Sequence, residues 1–290
     1  MINTMNINNI IINNADLSTT LIHEIFDYIH PDYKLLIHRE GSTDQQRAKT
    51  LSINLIMTSG MENEFEDVLL CRRFKSKLCS IAAGRGFINT LRWAREHRCG
   101  WSADTCKAAA EGGHLDCLMW LREHGCAWVK REMCKTAAEG GSVSCMKWLR
   151  EQGCPWSAET CWTASRGGHL DCLMWLREQG CAWDLHTCSF AAQGGHLDIL
   201  IWAREHGCGW NSRTCMFAAS GGHLNCLIWA RENGCDWDND TCWLASVGGH
   251  LDCLIWARDH GCPWDPSYCK RIARQIGHSH VVEWIASQGF

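Results

Sequence analysis

The chain has 290 residues, a formal net charge of -4 at pH 7 and a hydrophobic share of 46%. That share is sufficient for a sizeable buried core. The slightly acidic balance lacks the basic surface typical of proteins that bind nucleic acids or lipid headgroups, so we expect neither as a partner.

The first residues, 1–15, are rich in asparagine and isoleucine. Such a polar tract buries too little apolar surface to offset the entropy of ordering the chain, and we predict a disordered tail. Its apolar run is too short for a membrane span, and no basic stretch precedes it as in a secretory signal. We therefore expect a cytoplasmic, reducing location.

Residues 16–75 begin with a segment whose apolar residues recur at helical spacing. The spacing predicts a short amphipathic helix that needs a docking surface. These residues resemble the first helix of an F-box, the segment that docks on the Skp subunit of cullin-based ubiquitin ligases. The resemblance implies that docking would be carried by Leu17, Leu21, Ile25, Phe26 and Pro31.

The F-box resemblance is incomplete beyond this helix. Ser18 stands where the family usually has proline, and the element Leu70 to Phe74, similar to a later part of the motif, follows only after a long polar stretch. The alternative is that residues 16–75 form a helical cap on the array that follows. Both interpretations stay open from the sequence.

Residues 76–290 are predicted to be a repeat array, because one cysteine recurs at steps of 27 residues with a single step of 28. It falls at Cys79, Cys106, Cys134, Cys161, Cys188, Cys215, Cys242 and Cys269.

Each copy reads as two helices. Capping residues precede the first helix at Ser102, Ser157, Asp184, Asn211, Asp238 and Asp265. A Gly-Gly pair ends the first helix, and the histidine after it begins the second, which stops at another glycine. The pattern predicts an all-α solenoid of about eight helix-turn-helix repeats.

These repeats resemble the ankyrin repeat at Thr105, Ala109, Ala110, Gly113, His114, Leu115, Leu118, Leu121 and Gly125. The ankyrin period is about 33 residues, so this unit is short by the length of the family's β-hairpin, and we expect that hairpin to be shortened or absent. The form rich in tryptophan and cysteine is similar to ankyrin proteins of large DNA viruses of amoebae, which implies a host cytoplasm as the location.

The sequence holds 21 cysteines. Equivalent cysteines of neighbouring repeats would lie about 8–10 Å apart, farther than the roughly 7 Å that a disulfide tolerates between Cα atoms, so we predict buried free thiols. Zinc bound by Cys106, His114, Cys117 and Cys126 is an alternative, but these positions do not obviously converge and lack a C-x2-C pair. We expect no metal ligands and no cofactor.

The copies differ most at the two positions that follow the leading cysteine. These positions hold lysines at both ends of the array and large apolar side chains in its middle. In ankyrin-like stacks the first helix lines the concave groove, so the middle repeats would present an apolar strip of Trp162, Phe190, Met216, Phe217, Trp243 and Leu244. The alternative is that these side chains are half-buried and serve only stability.

No phosphate-binding loop, nucleophile elbow or HExxH motif occurs, and we expect no enzymatic activity. The sequence favours a monomeric solenoid that binds a protein partner, as an adaptor joining a Skp subunit to a recruited substrate if the F-box resemblance holds. A plain scaffold or decoy that binds a host protein is the main alternative. A zinc-stabilised structural protein is the third.

Overall fold

The structure is a computed structural model that describes residues 72–96 and 98–290. These residues belong to one compact unit, Cys71–Phe290. The predicted tail 1–15 and nearly all of region 16–75 lie outside them, and so do the five residues expected to dock on a Skp subunit.

Residues 72–96 and 98–290 form sixteen helices and no strand, arranged as eight pairs. The first helix of each pair is an A-helix: α1 Arg72–Gly84, α3 Ala103–Glu111, α5 Lys130–Glu139, α7 Ala158–Arg166, α9 Leu185–Gly194, α11 Ser212–Gly221, α13 Asn239–Gly248 and α15 Pro266–Ile276. The second is a B-helix: α2 Ile88–Glu96, α4 Leu115–Glu123, α6 Val143–Glu151, α8 Leu170–Glu178, α10 Leu197–Glu205, α12 Leu224–Glu232, α14 Leu251–Asp259 and α16 Ser279–Ser287.

The predicted all-α solenoid of eight repeats without β-hairpins is thus confirmed for the described part of the chain. None of these helices is both long enough and apolar enough to cross a bilayer.

The A-helices begin at the capping residues expected from the sequence. At α3, the backbone N–H of Asp104 donates to the Ser102 hydroxyl at 3.2 Å, and the backbone N–H of Ser102 donates to the Thr105 hydroxyl at 3.2 Å. This reciprocal capping satisfies donors that a helix start would otherwise leave unpaired.

The Gly-Gly pair at the end of the six inner A-helices serves two purposes. The second glycine takes a left-handed conformation, as at Gly113 with φ of 74°, which ends the helix. The first lies against the backbone of the preceding A-helix: a Cβ added to Gly140 would be 1.7 Å from the carbonyl oxygen of Glu111. Neighbouring A-helices therefore meet backbone to backbone at their C-terminal ends.

A histidine follows every Gly-Gly pair except Gly140–Gly141, and it links its repeat to the preceding one. Nε2 of His169 donates to the carbonyl oxygen of Glu139 at 2.9 Å, and His196 bonds Arg166 in the same way at 3.0 Å. The His169 ring also covers Gly141, where a Cβ would lie 2.5 Å from its Nδ1. Since Glu139 ends α5, the histidine satisfies a carbonyl that the helix end leaves free.

The A-helices pack closely on one another, whereas successive B-helices make few contacts. Fully buried alanines such as Ala109 and Ala110 keep the A-helices near each other, and leucines such as Leu118 and Leu121 fill the space beneath the B-helices. The A-helices are thus the more closely spaced row, and the side of the array that they form is called its inner side below.

The backbone contact between A-helices predicts a large effect of Gly140→Ala. The backbone at Gly140 has φ of -86°, which alanine tolerates, so the cost comes from the clash with the Glu111 carbonyl. We expect a loss of about 1–3 kcal/mol in the free energy of unfolding, as for other overpacked sites, measured by urea denaturation.

Gly209→Ala is the matched control, because a Cβ there has open space within 4 Å and the backbone is not left-handed. It should change stability by no more than about 0.5 kcal/mol. Equal effects of the two changes would show that the close approach of the A-helices does not limit the residue at Gly140.

Candidate protein-binding face

The predicted strip lies on the A-helices of the middle repeats. All six of its residues are half-buried, neither in the core nor among the most exposed apolar side chains. In the same helices the leading cysteine and the paired small residues form the buried layer, as with Cys161 and Ala164 of α7. The strip therefore sits above the core on the inner side of the array.

Three members of the strip form a continuous aromatic stack across three repeats. Trp162 and Phe190 stack with their ring centroids 5.0 Å apart and an interplanar angle of 12°. Phe190 continues to Phe217 at 5.6 Å. His186 adds a further ring, 5.7 Å from Trp162. One part of each ring thus contacts a neighbouring ring, and the rest of the ring faces solvent.

Trp243 belongs to a second cluster at the C-terminal side. Its ring centroid lies 6.1 Å from that of Tyr268, a residue of α15 that is 39% exposed. The Arg271 guanidinium carbon stands 4.8 Å from the Tyr268 ring centroid, within the range of a cation–π contact. The ring contacts therefore join Trp162, Phe190 and Phe217 but place Trp243 with Tyr268. Met216 and Leu244 occupy the same face of α11 and α13.

The N-terminal repeats carry ion pairs where the middle repeats carry rings. Lys107 pairs with Glu132 of the next A-helix at 2.6 Å, and Lys135 pairs with Glu159. The hydrogen bond with Glu132 raises the pKa of Lys107 and lowers that of Glu132. These groups are solvent-exposed, so the pairs contribute little to stability, but they leave this part of the face locally neutral.

The indole N–H groups of Trp162 and Trp243 are buried and have no hydrogen-bond partner. A buried unpaired donor of this kind costs about 1–3 kcal/mol, because it has lost its water without a replacement. Both tryptophans follow the leading cysteine directly and both anchor a ring cluster. The strip thus contains two positions at which the fold is not optimised for stability.

The cysteines and histidines of the repeats do not form a metal site in the described part of the chain, where no group of three or more potential ligands converges. The twenty cysteines from Cys79 to Cys269 are free thiols and buried. His169 and His196, the equivalents of His114 in later repeats, are each bonded to a backbone carbonyl.

The turns after the first six B-helices contain a contact that the sequence analysis did not anticipate. The Arg95 guanidinium carbon lies 3.7 Å from the Trp101 ring centroid, and Arg95 also donates to the carbonyl of Cys99 at 2.9 Å. The Trp101 ring in turn meets Trp120 edge-on at 5.9 Å. Equivalent stacks recur at Arg150 with Trp156, Arg177 with Trp183, Arg204 with Trp210 and Arg231 with Trp237.

The sequence contains a signal for this contact, because the arginine and the tryptophan of each stack are six residues apart. Tyr268 and His186 were also missed as neighbours of the strip, because they lie at different helical positions from the residues that vary most.

No family model and no curated protein matches the sequence. Among solved structures, the chain is similar to the ankyrin repeat domain of human ASB11, with a TM-score of 0.43 and 18% sequence identity over 55% of this chain and 84% of that one.

The aromatic stack predicts an energetic coupling between Trp162 and Phe190. In a double-mutant cycle with Trp162→Ala and Phe190→Ala, we expect a coupling of about 0.5–1.5 kcal/mol in the free energy of unfolding, the range for stacked aromatic pairs. Trp162→Ala with Trp243→Ala is the control pair, since the two belong to separate clusters, and should be additive within about 0.5 kcal/mol. Additivity in both pairs would contradict the stack.

Proposed function

We propose that this chain is a non-enzymatic solenoid that binds a protein partner along the inner face of its A-helices. The strip and its neighbour Tyr268 form the centre of the binding surface. Ion pairs of Lys107 and Lys135 border it on the N-terminal side, and Lys270, Arg271 and Arg274 border it on the other. Aromatic residues surrounded by polar ones are the usual composition of an interface hot spot.

One observation carries this proposal: the fold does not require large apolar residues at the strip positions. In α3 the two positions hold Lys107 and Ala108, and in α5 they hold Lys135 and Thr136, yet both helices form and fully bury their leading cysteine and paired alanines. Aromatic side chains in the middle repeats therefore add exposed apolar surface that stability does not demand. A bound partner would remove that surface from water, which is favourable by about 25 cal/mol per Å².

The partner chemistry follows from the arrangement of the strip. Apolar side chains follow one another across consecutive A-helices, which lie about 8–10 Å apart. An elongated partner segment with several apolar side chains could contact successive rings, and its carbonyl groups would suit the unpaired indole donors if these tryptophans reorient on binding. A small-molecule ligand would cover only one of these positions.

The binding surface is tested by two matched methionine changes. Met216→Glu places a charge within the strip, whereas Met174→Glu places it on B-helix α8, where Met174 is 37% exposed. A partner captured by the wild-type chain is identified by mass spectrometry, purified, and titrated against both variants. We expect Met216→Glu to weaken binding roughly tenfold or more and Met174→Glu to leave it unchanged.

Stability serves as the control for both variants. Met216→Glu should lower the free energy of unfolding by only about 1 kcal/mol, because the side chain is half-buried and can turn toward solvent. Equal binding by the two variants would overturn the assignment of the strip as the binding surface.

We further propose that residues 16–75 link the array to a ubiquitin ligase in the cytoplasm. The support is the F-box resemblance of the segment around Leu21, Ile25 and Phe26. An adaptor of this kind needs one docking helix and one recruiting surface, and the chain would supply the first before the array and the second within it. A scaffold or decoy would use the strip without the docking helix.

The adaptor proposal predicts that the intact chain co-purifies with a Skp subunit. The double change Ile25→Asp and Phe26→Asp should abolish co-purification, because it puts two charges on the apolar side of the predicted helix. His23→Asp is the control on the polar side and should retain it. Failure of the wild-type chain to co-purify would leave the scaffold or decoy function.

A further inference from the structure

A second pattern of cysteines becomes visible once the repeats are folded. The leading cysteine of an A-helix and the cysteine of the turn after the B-helix belong to the same repeat, 20 residues apart. Seven repeats contain both: Cys79 with Cys99, Cys106 with Cys126, Cys134 with Cys154, Cys161 with Cys181, Cys188 with Cys208, Cys215 with Cys235 and Cys242 with Cys262. The distance argument against disulfides applies to equivalent positions of neighbouring repeats and not to these pairs.

The two thiols of a repeat lie next to each other. Sγ of Cys161 and Sγ of Cys181 approach the same carbonyl oxygen, that of Ala182, at 3.4 and 3.7 Å. In another repeat, Sγ of Cys134 lies 3.7 Å from the carbonyl oxygen of Cys154 itself. These distances place each leading cysteine against the backbone of its turn cysteine.

In five of the seven pairs the turn cysteine also lies against the start of the helix that carries the leading cysteine. Its thiol donates to the carbonyl oxygen of the residue that caps this A-helix, as Cys126 does to Ser102 at 3.3 Å. Cys106 follows Ser102 by one helical turn, so the two thiols of the repeat are neighbours. The four further pairs of this kind are Cys161 with Cys181, Cys188 with Cys208, Cys215 with Cys235 and Cys242 with Cys262.

This arrangement distinguishes the two thiols chemically. The hydrogen bond from Cys106 lowers the pKa of Cys126, and the Arg95 and Arg122 guanidinium groups act in the same direction against the effect of burial. The same hydrogen bond, together with burial, raises the pKa of Cys106. The turn cysteine is thus the stronger candidate nucleophile, since the thiolate is the reactive form.

We propose that these five thiol pairs are oxidation sites for hydrogen peroxide, and that each pair closes to a disulfide within its own repeat. The turn thiolate attacks a peroxide oxygen, an S–O bond forms, the O–O bond breaks, and the departing hydroxide is protonated to water. The thiol of the leading cysteine then attacks the sulfenic sulfur, an S–S bond forms, and the second water leaves. For hydrogen peroxide, two thiols and one oxidant give one disulfide and two waters.

Burial sets the rate of this reaction but does not prevent it. The side chains of both cysteines are fully buried, as for Cys106 and Cys126 at 0% exposure. A molecule the size of hydrogen peroxide needs only a local opening of the turn, which costs less free energy than unfolding the array. The adjacent sulfur traps the sulfenic acid before a larger thiol can enter.

The cysteines of the B-helices provide an internal comparison. Burial, followed by the charge of Asp116, raises the pKa of Cys117 to about 11, and the same causes with Asp171 raise that of Cys172 to about 12. In α10 the equivalent position is Ile199, so this site is one of packing. We expect the B-helix cysteines to stay reduced under oxidant that closes the pairs.

The test is a map of disulfides in the intact protein. The folded chain is treated with hydrogen peroxide, quenched in acid, unfolded with an alkylating agent, digested and analysed by mass spectrometry. We expect linked peptides that join Cys106 to Cys126 and the four further pairs, and alkylated thiols at Cys117 and Cys172. Oxidised protein should also melt at a higher temperature, because each link restricts the unfolded chain.

Matched variants assign each link. Cys126→Ser should remove the link to Cys106 and leave the other four, whereas Cys117→Ser should leave all five. Links between different repeats, oxidation of B-helix cysteines at the same rate as the pairs, or no link while circular dichroism shows a folded chain would each overturn the proposal. Should Cys126→Ser fail to fold, the wild-type map decides alone.

Discussion

The close approach of consecutive A-helices is the constraint on which the rest of the array depends. It requires small side chains at every contact, which the paired alanines supply within the helix and the first glycine supplies at its end. At Gly140 the neighbouring carbonyl leaves no space even for a methyl group. The histidine linkage then follows from this approach, because His169 reaches the carbonyl of Glu139 only when the two helix ends are adjacent.

The same constraint creates the inner face. Side chains just after the leading cysteine stand beside side chains of the next A-helix, so each of them is in contact with a neighbour rather than isolated. Oppositely charged neighbours form ion pairs, as Lys107 does with Glu132, and aromatic neighbours stack, as Trp162 does with Phe190. Both parts of the array bury the same layer of cysteines and small residues, and the side chains above that layer decide which chemistry the face offers.

Much of the fold could be predicted from the sequence, because the caps, the glycines and the period of 27 are local signals. Contacts between different positions of the repeat could not be predicted from the sequence. A periodic pattern tells which side of a helix faces the core, but it gives no distance between a turn and a helix, so the pairing of Cys106 with Cys126 was not foreseen. We predicted the strip as one surface, but its aromatic rings form two separate clusters. The second cluster arises because Trp243 contacts Tyr268, a residue one position before a leading cysteine.

The contacts on the inner face also restrict how such an array can change its number of repeats. Removing one 27-residue unit would bring equivalent helices together, so the buried cysteines and small residues would still face each other. It would not preserve the contacts on the inner face. Without the unit containing Glu159 and Trp162, Lys135 would stand beside His186 and Phe190 would lose its stacking neighbour. A change in the number of repeats therefore alters the face even where the buried layer is kept.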